Sequence, residues 1–156
     1  MSSDDSITPS QYNTYRHWRL AAENVDACLN RILSHDELSM VEMRVLIILN
    51  DAPDMRLRMS DLASDANHSP SRSSHTITRM EARGWVKRLP HETDRRVIYV
   101  MLTSAGKALY DKVSPRYRSA IHRWFVDAID PDRMEAFDQD MMRIIAATNY
   151  SLTPGL

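Results

Sequence analysis

Two short stretches of this chain carry side chains whose types and spacing suit recognition of a nucleic acid rather than catalysis. In the first, Ser71, Arg72, His75, Thr76 and Arg79 fall at i, i+1, i+4, i+5 and i+8, which gathers them on one face of a helix. Ile77 and Met80, with Ser73 or Ser74, point the opposite way. An arginine can donate two hydrogen bonds to O6 and N7 of a guanine, while serine, threonine and histidine serve bases or phosphates. Crowded near a helix N-terminus, they occupy the part of a recognition helix that enters a major groove. The second stretch is Asp94-Arg95-Arg96 at the tip of a polar segment, Pro90-His91-Glu92-Thr93-Asp94-Arg95-Arg96. Arginine suits a narrow, strongly negative minor groove because its planar cation sheds water readily. Asp94 is placed to pair with one of these arginines and stiffen the tip. Either cluster alone reads equally as solvated surface; together they read as a helix and a wing.

The elements that must hold them follow from local signals. Pro9–Leu33 reads as one long helix, apolar on more than one face, which calls for two partners. Ser39 caps a second helix running to about Asn50, with Glu42 completing a capping box and Val45–Leu49 deeply buried. Asp51–Leu57, with Pro53, reads as a loop. Ser60 is expected to cap a short helix, Asp61–Ala66, turning Leu62, Ala63 and Ala66 inward. After the turn at Asn67–His68, Ser69 caps a helix with Pro70 at its first position, ending at Gly84. Two short helices joined by a brief turn make a helix-turn-helix. Trp85–Leu89 and Val97–Leu102 are β-prone and form a hairpin around the polar tip. Thr103 caps a helix expected to reach about Ile129, kinked or split at Pro115. A last helix, beginning after Asp130-Pro131 and running to about Thr148, carries Met134, Phe137, Met141, Ile144 and Ile145 on one stripe.

Charge distribution supports the reading. The 156-residue chain has a net charge of −1, which taken whole argues against nucleic-acid binding. Arg56–Arg96, however, carries a net +4 and the remainder −5. A basic segment in an acidic frame attracts phosphate locally without general stickiness. No apolar run suits a membrane span, and the opening MSSDDSITPS predicts no secretory signal, so a cytoplasmic protein is expected. The single cysteine, Cys28, forms no internal disulfide and is expected to be buried packing near Val25, Leu29 and Ile32 rather than a redox sensor. The six histidines show no zinc spacing, His35-Asp36-Glu37 reading as a loop before a helix. No nucleophile elbow, phosphate loop or His-Glu-x-x-His motif occurs, so no enzyme, metal or cofactor is expected.

Asp94-Arg95-Arg96-Val97-Ile98-Tyr99-Val100-Met101-Leu102-Thr103 resembles the D-x-R-x-x-x-V-x-L-T signature of the MarR (multiple antibiotic resistance regulator) family. Leu57–Ala63 resembles that family's first helix-turn-helix element. Ser69–Arg72 through Glu81–Arg88 resembles its recognition helix and the start of its wing. The resemblance implies a mainly α fold with a small β-hairpin wing: a winged helix-turn-helix at 39–102 and an α-helical dimerisation region from 1–38 and 103–156. It implies a homodimer and a ligand-responsive repressor on a palindromic double-stranded DNA operator, with half-sites about one helical turn apart. Ser71, Arg72, His75 and Thr76 would enter the major groove, and Arg95 or Arg96 the minor groove. His75 stands where many relatives carry arginine, so phosphate attraction there would be weaker and pH-sensitive. The family often binds small aromatic or phenolic effectors, for which Tyr15, Trp18 and Arg19 on the first helix offer a lining, although such a stripe equally suits a dimer core. A competing class is a winged-helix module that binds an acidic protein surface, with affinity indifferent to DNA sequence.

Overall fold

The computed structural model describes residues 6–65, 70–91, 93–94 and 96–152. Helix α1 (Pro9–Ser34) starts where Thr8 and Gln11 form a reciprocal capping box, with proline at the first position, where its missing N–H goes unneeded. Only its C-terminal end is buried, through Leu29 and Leu33. A tight turn follows and leads to Ser39, which caps α2 (Met40–Asp51) with Glu42, as the sequence predicts. Helix α2 supplies much of the core: Met43, Leu46 and Leu49 are fully buried and Val45 nearly so. Also buried are Leu62 and Ala63 of α3 (Met59–Asp65), Ile77 and Met80 of α4 (Pro70–Ala82), and Val113 and Tyr117 of α5 (Ser104–Ile121).

The sheet has three antiparallel strands in the order β1-β3-β2: β1 (Arg56–Arg58), β2 (Val86–Pro90) and β3 (Ile98–Leu102). The hairpin β2–β3 pairs Val86 with Leu102 and Pro90 with Ile98, as expected from its flanking apolar runs. Val86, Val100 and Leu102 face the core. Strand β1 corrects the sequence reading, which gave Asp51–Leu57 as a loop. Residues Pro53–Met55 form a 3-10 turn, and Arg56, Leu57 and Arg58 then pair with Met101, Val100 and Tyr99. A three-residue strand has too little periodicity to announce itself; its partner lies more than forty residues on.

Other boundaries also shift. Helix α3 begins at Met59, so Ser60 lies inside it rather than capping it, and its hydroxyl donates to Asp61 Oδ1 at 3.0 Å. Ala66, the turn at Asn67–His68 and the Ser69 cap lie outside the described residues. Helix α5 starts at the Thr103 cap and runs unbroken past Pro115. Pro115 and Asp111, whose carbonyl loses its helical donor, are both exposed, so water can satisfy that oxygen. The helix changes character later, in a π-helical turn at His122–Val126. Cys28 is half-buried rather than buried.

The chain divides into two compact units, Met1–Ala120 and Ile121–Leu156. The second contains the π-helical turn, a 3-10 turn at Pro131–Arg133 capped by Asp130, and α6 (Met134–Leu152), which runs further than Thr148. Phe125 meets Phe137 edge-on at 5.9 Å within this unit. Met142, Ile144 and Ile145 of α6 are exposed in the single chain, as are Tyr12, Tyr15, Trp18 and Leu20 of α1. Among the described residues no helix is long and apolar enough to cross a membrane.

Candidate nucleic-acid interface

Helix α4 is fixed at its end by Gly84, whose φ of +74° lies in the left-handed region that glycine enters without steric cost. Gly84 N–H bonds Glu81 O at 2.9 Å and Trp85 N–H bonds Met80 O at 3.0 Å, a Schellman motif that satisfies the last carbonyls and turns the chain into β2. The join is tight on its other side too. Thr103 N–H donates to Trp85 O at 3.0 Å, and Gly106 passes so near that a Cβ there would sit 2.1 Å from that oxygen.

The helix then divides into three stripes. Ser73, Thr76, Ile77 and Met80 are buried against α2 and α3. Ser74, Thr78 and Glu81, at i, i+4 and i+7, face Arg88 on β2. Ser71, Arg72, His75 and Arg79 are exposed along a groove of about 360 Å3 that Val41 and the edge of Thr76 also line. Thr76 is the correction here: it is 7% exposed and belongs to the core stripe with Ser73 and Met80, not to the open face. Its 3- and 4-residue spacing to those two decides its side, whatever its polarity. Of the two serines the sequence left open, Ser73 is the inward one and Ser74 is exposed.

The wing is built on Tyr99 of β3. His91 stacks on its ring at 6.0 Å between centroids, Arg56 lies 5.6 Å from the ring centre, and Arg58 Nε donates to its hydroxyl at 3.4 Å. His91 Nδ1 accepts the backbone N–H groups of Thr93 and Asp94, each at 3.3 Å. At the tip Asp94 Oδ1 accepts the Arg96 backbone N–H at 3.0 Å, so the carboxylate stiffens the turn through the main chain. Arg96 is exposed, and Arg95 lies outside the described residues.

Much of the basic segment is engaged within the chain, which net charge alone does not reveal. Arg79 lies 3.4 Å from the buried Glu42 carboxylate. Arg83 donates to Glu37 O at 2.7 Å and covers the Trp85 ring at 4.7 Å. Arg88 bonds Glu81, and Arg56 and Arg58 gather at Tyr99. Arg72 and Arg79 of α4, Lys87 of β2 and Arg96 of the wing are exposed. On α1, Tyr12, Tyr15 and Trp18 form a stack with centroids 6.3 and 5.9 Å apart, and Arg19 pairs with Glu23 at 2.6 Å. No group of three or more His, Cys, Asp or Glu side chains among the described residues is placed to hold a metal ion.

Comparison with known proteins matches this arrangement. The MarR family matches residues 38–98. Among solved structures, AbsC, a MarR family transcriptional regulator from Streptomyces coelicolor, shares 30% identity over 92% of this chain and 97% of its own, with a TM-score of 0.89. Sco3205, another MarR family regulator from that organism and solved in complex with DNA, shares 28% identity over 94% and 91%, with a TM-score of 0.87. The chain spans about half to two thirds of the length of curated relatives it matches. One is the transcriptional repressor YetL of Bacillus subtilis, 28% identical over 106 residues, 65% of this chain and 64% of that protein. The chain therefore belongs to the MarR family of winged helix-turn-helix transcriptional regulators, which are not enzymes.

Proposed function

We propose that this protein is a cytoplasmic, homodimeric repressor that binds a palindromic DNA operator through α4 and the wing. The observation that carries the reading is the exposed stripe Ser71, Arg72, His75 and Arg79 on a helix whose other stripes are fixed by the core and by β2. On this reading Arg72 reads a base edge, and Ser71 and His75 serve bases or phosphates. Arg79, held near Glu42, approaches DNA only as an adjunct to α4. Arg96 with Arg95 enters the flanking minor groove, with Asp94 ordering the turn between them.

Dimerisation is assigned to 1–38 with 103–156, and DNA reading to 39–102. Support comes from the apolar side chains left uncovered in one chain on α1 and α6. A second copy provides apolar cover of matching kind, and two-fold symmetry suits a palindrome. Tyr15, Trp18 and Arg19 are the candidate lining for a small aromatic or phenolic effector that alters the spacing of the two recognition helices. The repressor reading follows YetL.

The test is binding of the full chain to duplexes selected from a random-sequence pool, followed by gel shift at moderate salt. A selected palindrome retained in preference to scrambled duplex is expected. Arg72→Ala should relax preference at one base position of each half-site, at a cost of about 1–3 kcal/mol. Selection that yields no enriched sequence would refute the reading.

A further inference from the structure

Arg88 sits in the middle of β2, opposite Val100, and sequence alone counts it among the cations that attract phosphate. The structure points its guanidinium elsewhere. Nη1 donates to Glu81 Oε2 at 2.5 Å, while Nη2 donates to Ser74 O at 3.1 Å and to Thr78 Oγ1 at 3.0 Å. The Arg88 backbone N–H donates to the other Glu81 oxygen at 3.0 Å. Thr78 in turn donates to Ser74 O at 2.9 Å, closing the set.

Each partner has a reason to be there. Ser74, Thr78 and Glu81 make one stripe of α4, adjacent to the exposed stripe and distinct from the buried one. Glu81 spans both the main chain and the side chain of a single strand residue, which fixes the distance and the rotation of the helix against β2. The forked guanidinium is the one side chain that reaches a carboxylate, a carbonyl and a hydroxyl from a single position. Two residues beyond Arg88 the strand ends at Pro90 and the wing tip begins.

We infer that Arg88 and Glu81 are positioning residues for DNA recognition: they lock the recognition helix to the wing, so that both grooves are addressed in one fixed geometry. Neither residue touches DNA in this account. The core holds α4 by small and apolar side chains on its far stripe, and the clamp removes the remaining freedom to roll on that core. The inference rests on the DNA-reading proposal and goes beyond it by assigning specificity to residues off the reading face.

A phosphate contact and a clamp predict opposite behaviour for a lysine. Lysine keeps the positive charge for a phosphate but has no fork for three acceptors. Binding is therefore measured by fluorescence anisotropy with full-length protein across a salt series, on the selected duplex and on a scrambled one. Arg88→Lys and Arg88→Ala should each lower the ratio of specific to non-specific affinity by roughly ten-fold, with the salt slope on the selected duplex unchanged. Glu81→Gln should lower the ratio with non-specific affinity held or raised. Thr78→Val, a mild change at an exposed position, should lower it about two- to three-fold even where the larger changes impair folding. A merely structural role would reduce the active fraction and leave the ratio alone. The clamp is overturned if Arg88→Lys keeps the wild-type ratio, if Arg88→Ala lowers the salt slope by about one, or if Thr78→Val changes nothing. A wild-type protein with no preference for any selected duplex would instead overturn the DNA-reading proposal.

Discussion

Glu42 carries two duties, and its replacement separates them. As the third residue of α2 its carboxylate accepts the Ser39 backbone N–H at 2.9 Å and the Ser39 hydroxyl at 2.8 Å; it also lies 3.4 Å from Arg79 of α4. The side chain is 6% exposed, so water does not replace what is lost. Glu42→Ala removes the returning half of the capping box, about 1 kcal/mol. It also strands a part-buried N–H, a further ~1 kcal/mol or more, and gives up apolar contact of the stem. The total is about 2–3 kcal/mol. In a protein of this size each kcal/mol moves Tm by roughly 2–4 °C, so the expected fall is roughly 5–10 °C. Glu42→Gln keeps an oxygen for the Ser39 N–H and loses only the charge facing Arg79, which is 60% exposed and therefore well screened. Its expected cost is about 1 kcal/mol or less. The assay is thermal unfolding by circular dichroism at one fixed protein concentration, because dimerisation would make Tm concentration-dependent. Equal losses for Gln and Ala would refute the capping argument and place the energy in the ion pair. No loss for Ala would refute both.

Three further outcomes follow from the same geometry. Gly106→Ala should destabilise by about 2–3 kcal/mol in chemical denaturation, because its Cβ would meet Trp85 O at 2.1 Å and Leu102 Cδ1 at 2.8 Å; a gain in stability, the ordinary result for glycine in a helix, would contradict the close join of α5 to the wing. Burial pushes the Tyr117 phenol above its usual range, opposed by Arg44 and assisted by Asp26. The native state thus holds that proton more tightly than the unfolded chain, and its contribution to stability is lost as pH rises above about 10; Tyr117→Phe should flatten that part of a Tm-against-pH curve, and an unchanged slope would count against it. His75→Arg should raise affinity for DNA and steepen the salt dependence by about one unit of slope if His75 faces phosphate, whereas an unaltered slope in anisotropy titrations would place it away from the backbone.

The parts of this fold legible in the sequence are those written in local signals. The Ser39–Glu42 box, the stop at Gly84 and the paired apolar runs of β2 and β3 each depend on residues within a few positions of one another. Strand β1 is silent because Arg56 and Met101 find each other only in three dimensions. The polarity of Thr76 suggests the open face, while its helical phase with Ser73 and Met80 puts it in the core. Pro115 predicts a kink or a break, yet on the exposed side of α5 the Asp111 carbonyl it leaves without a helical donor is open to water. The engagement of Arg79, Arg83 and Arg88 was equally hidden. A count of charges says where cations lie along the chain but not which of them already face an acid. Four of the five residues that the pattern puts on the open face of α4 are exposed there, and the contacts that aim the helix leave no such pattern.

The central claim, that two copies present α4 and the wing to one palindromic site, is tested most directly by hydroxyl-radical footprinting of the full-length protein on its selected duplex. The account predicts two symmetric protected half-sites centred about 10 base pairs apart, each flanked by minor-groove protection that Arg96→Ala weakens. A single protected half-site, or even protection along the duplex without regard to sequence, would contradict it.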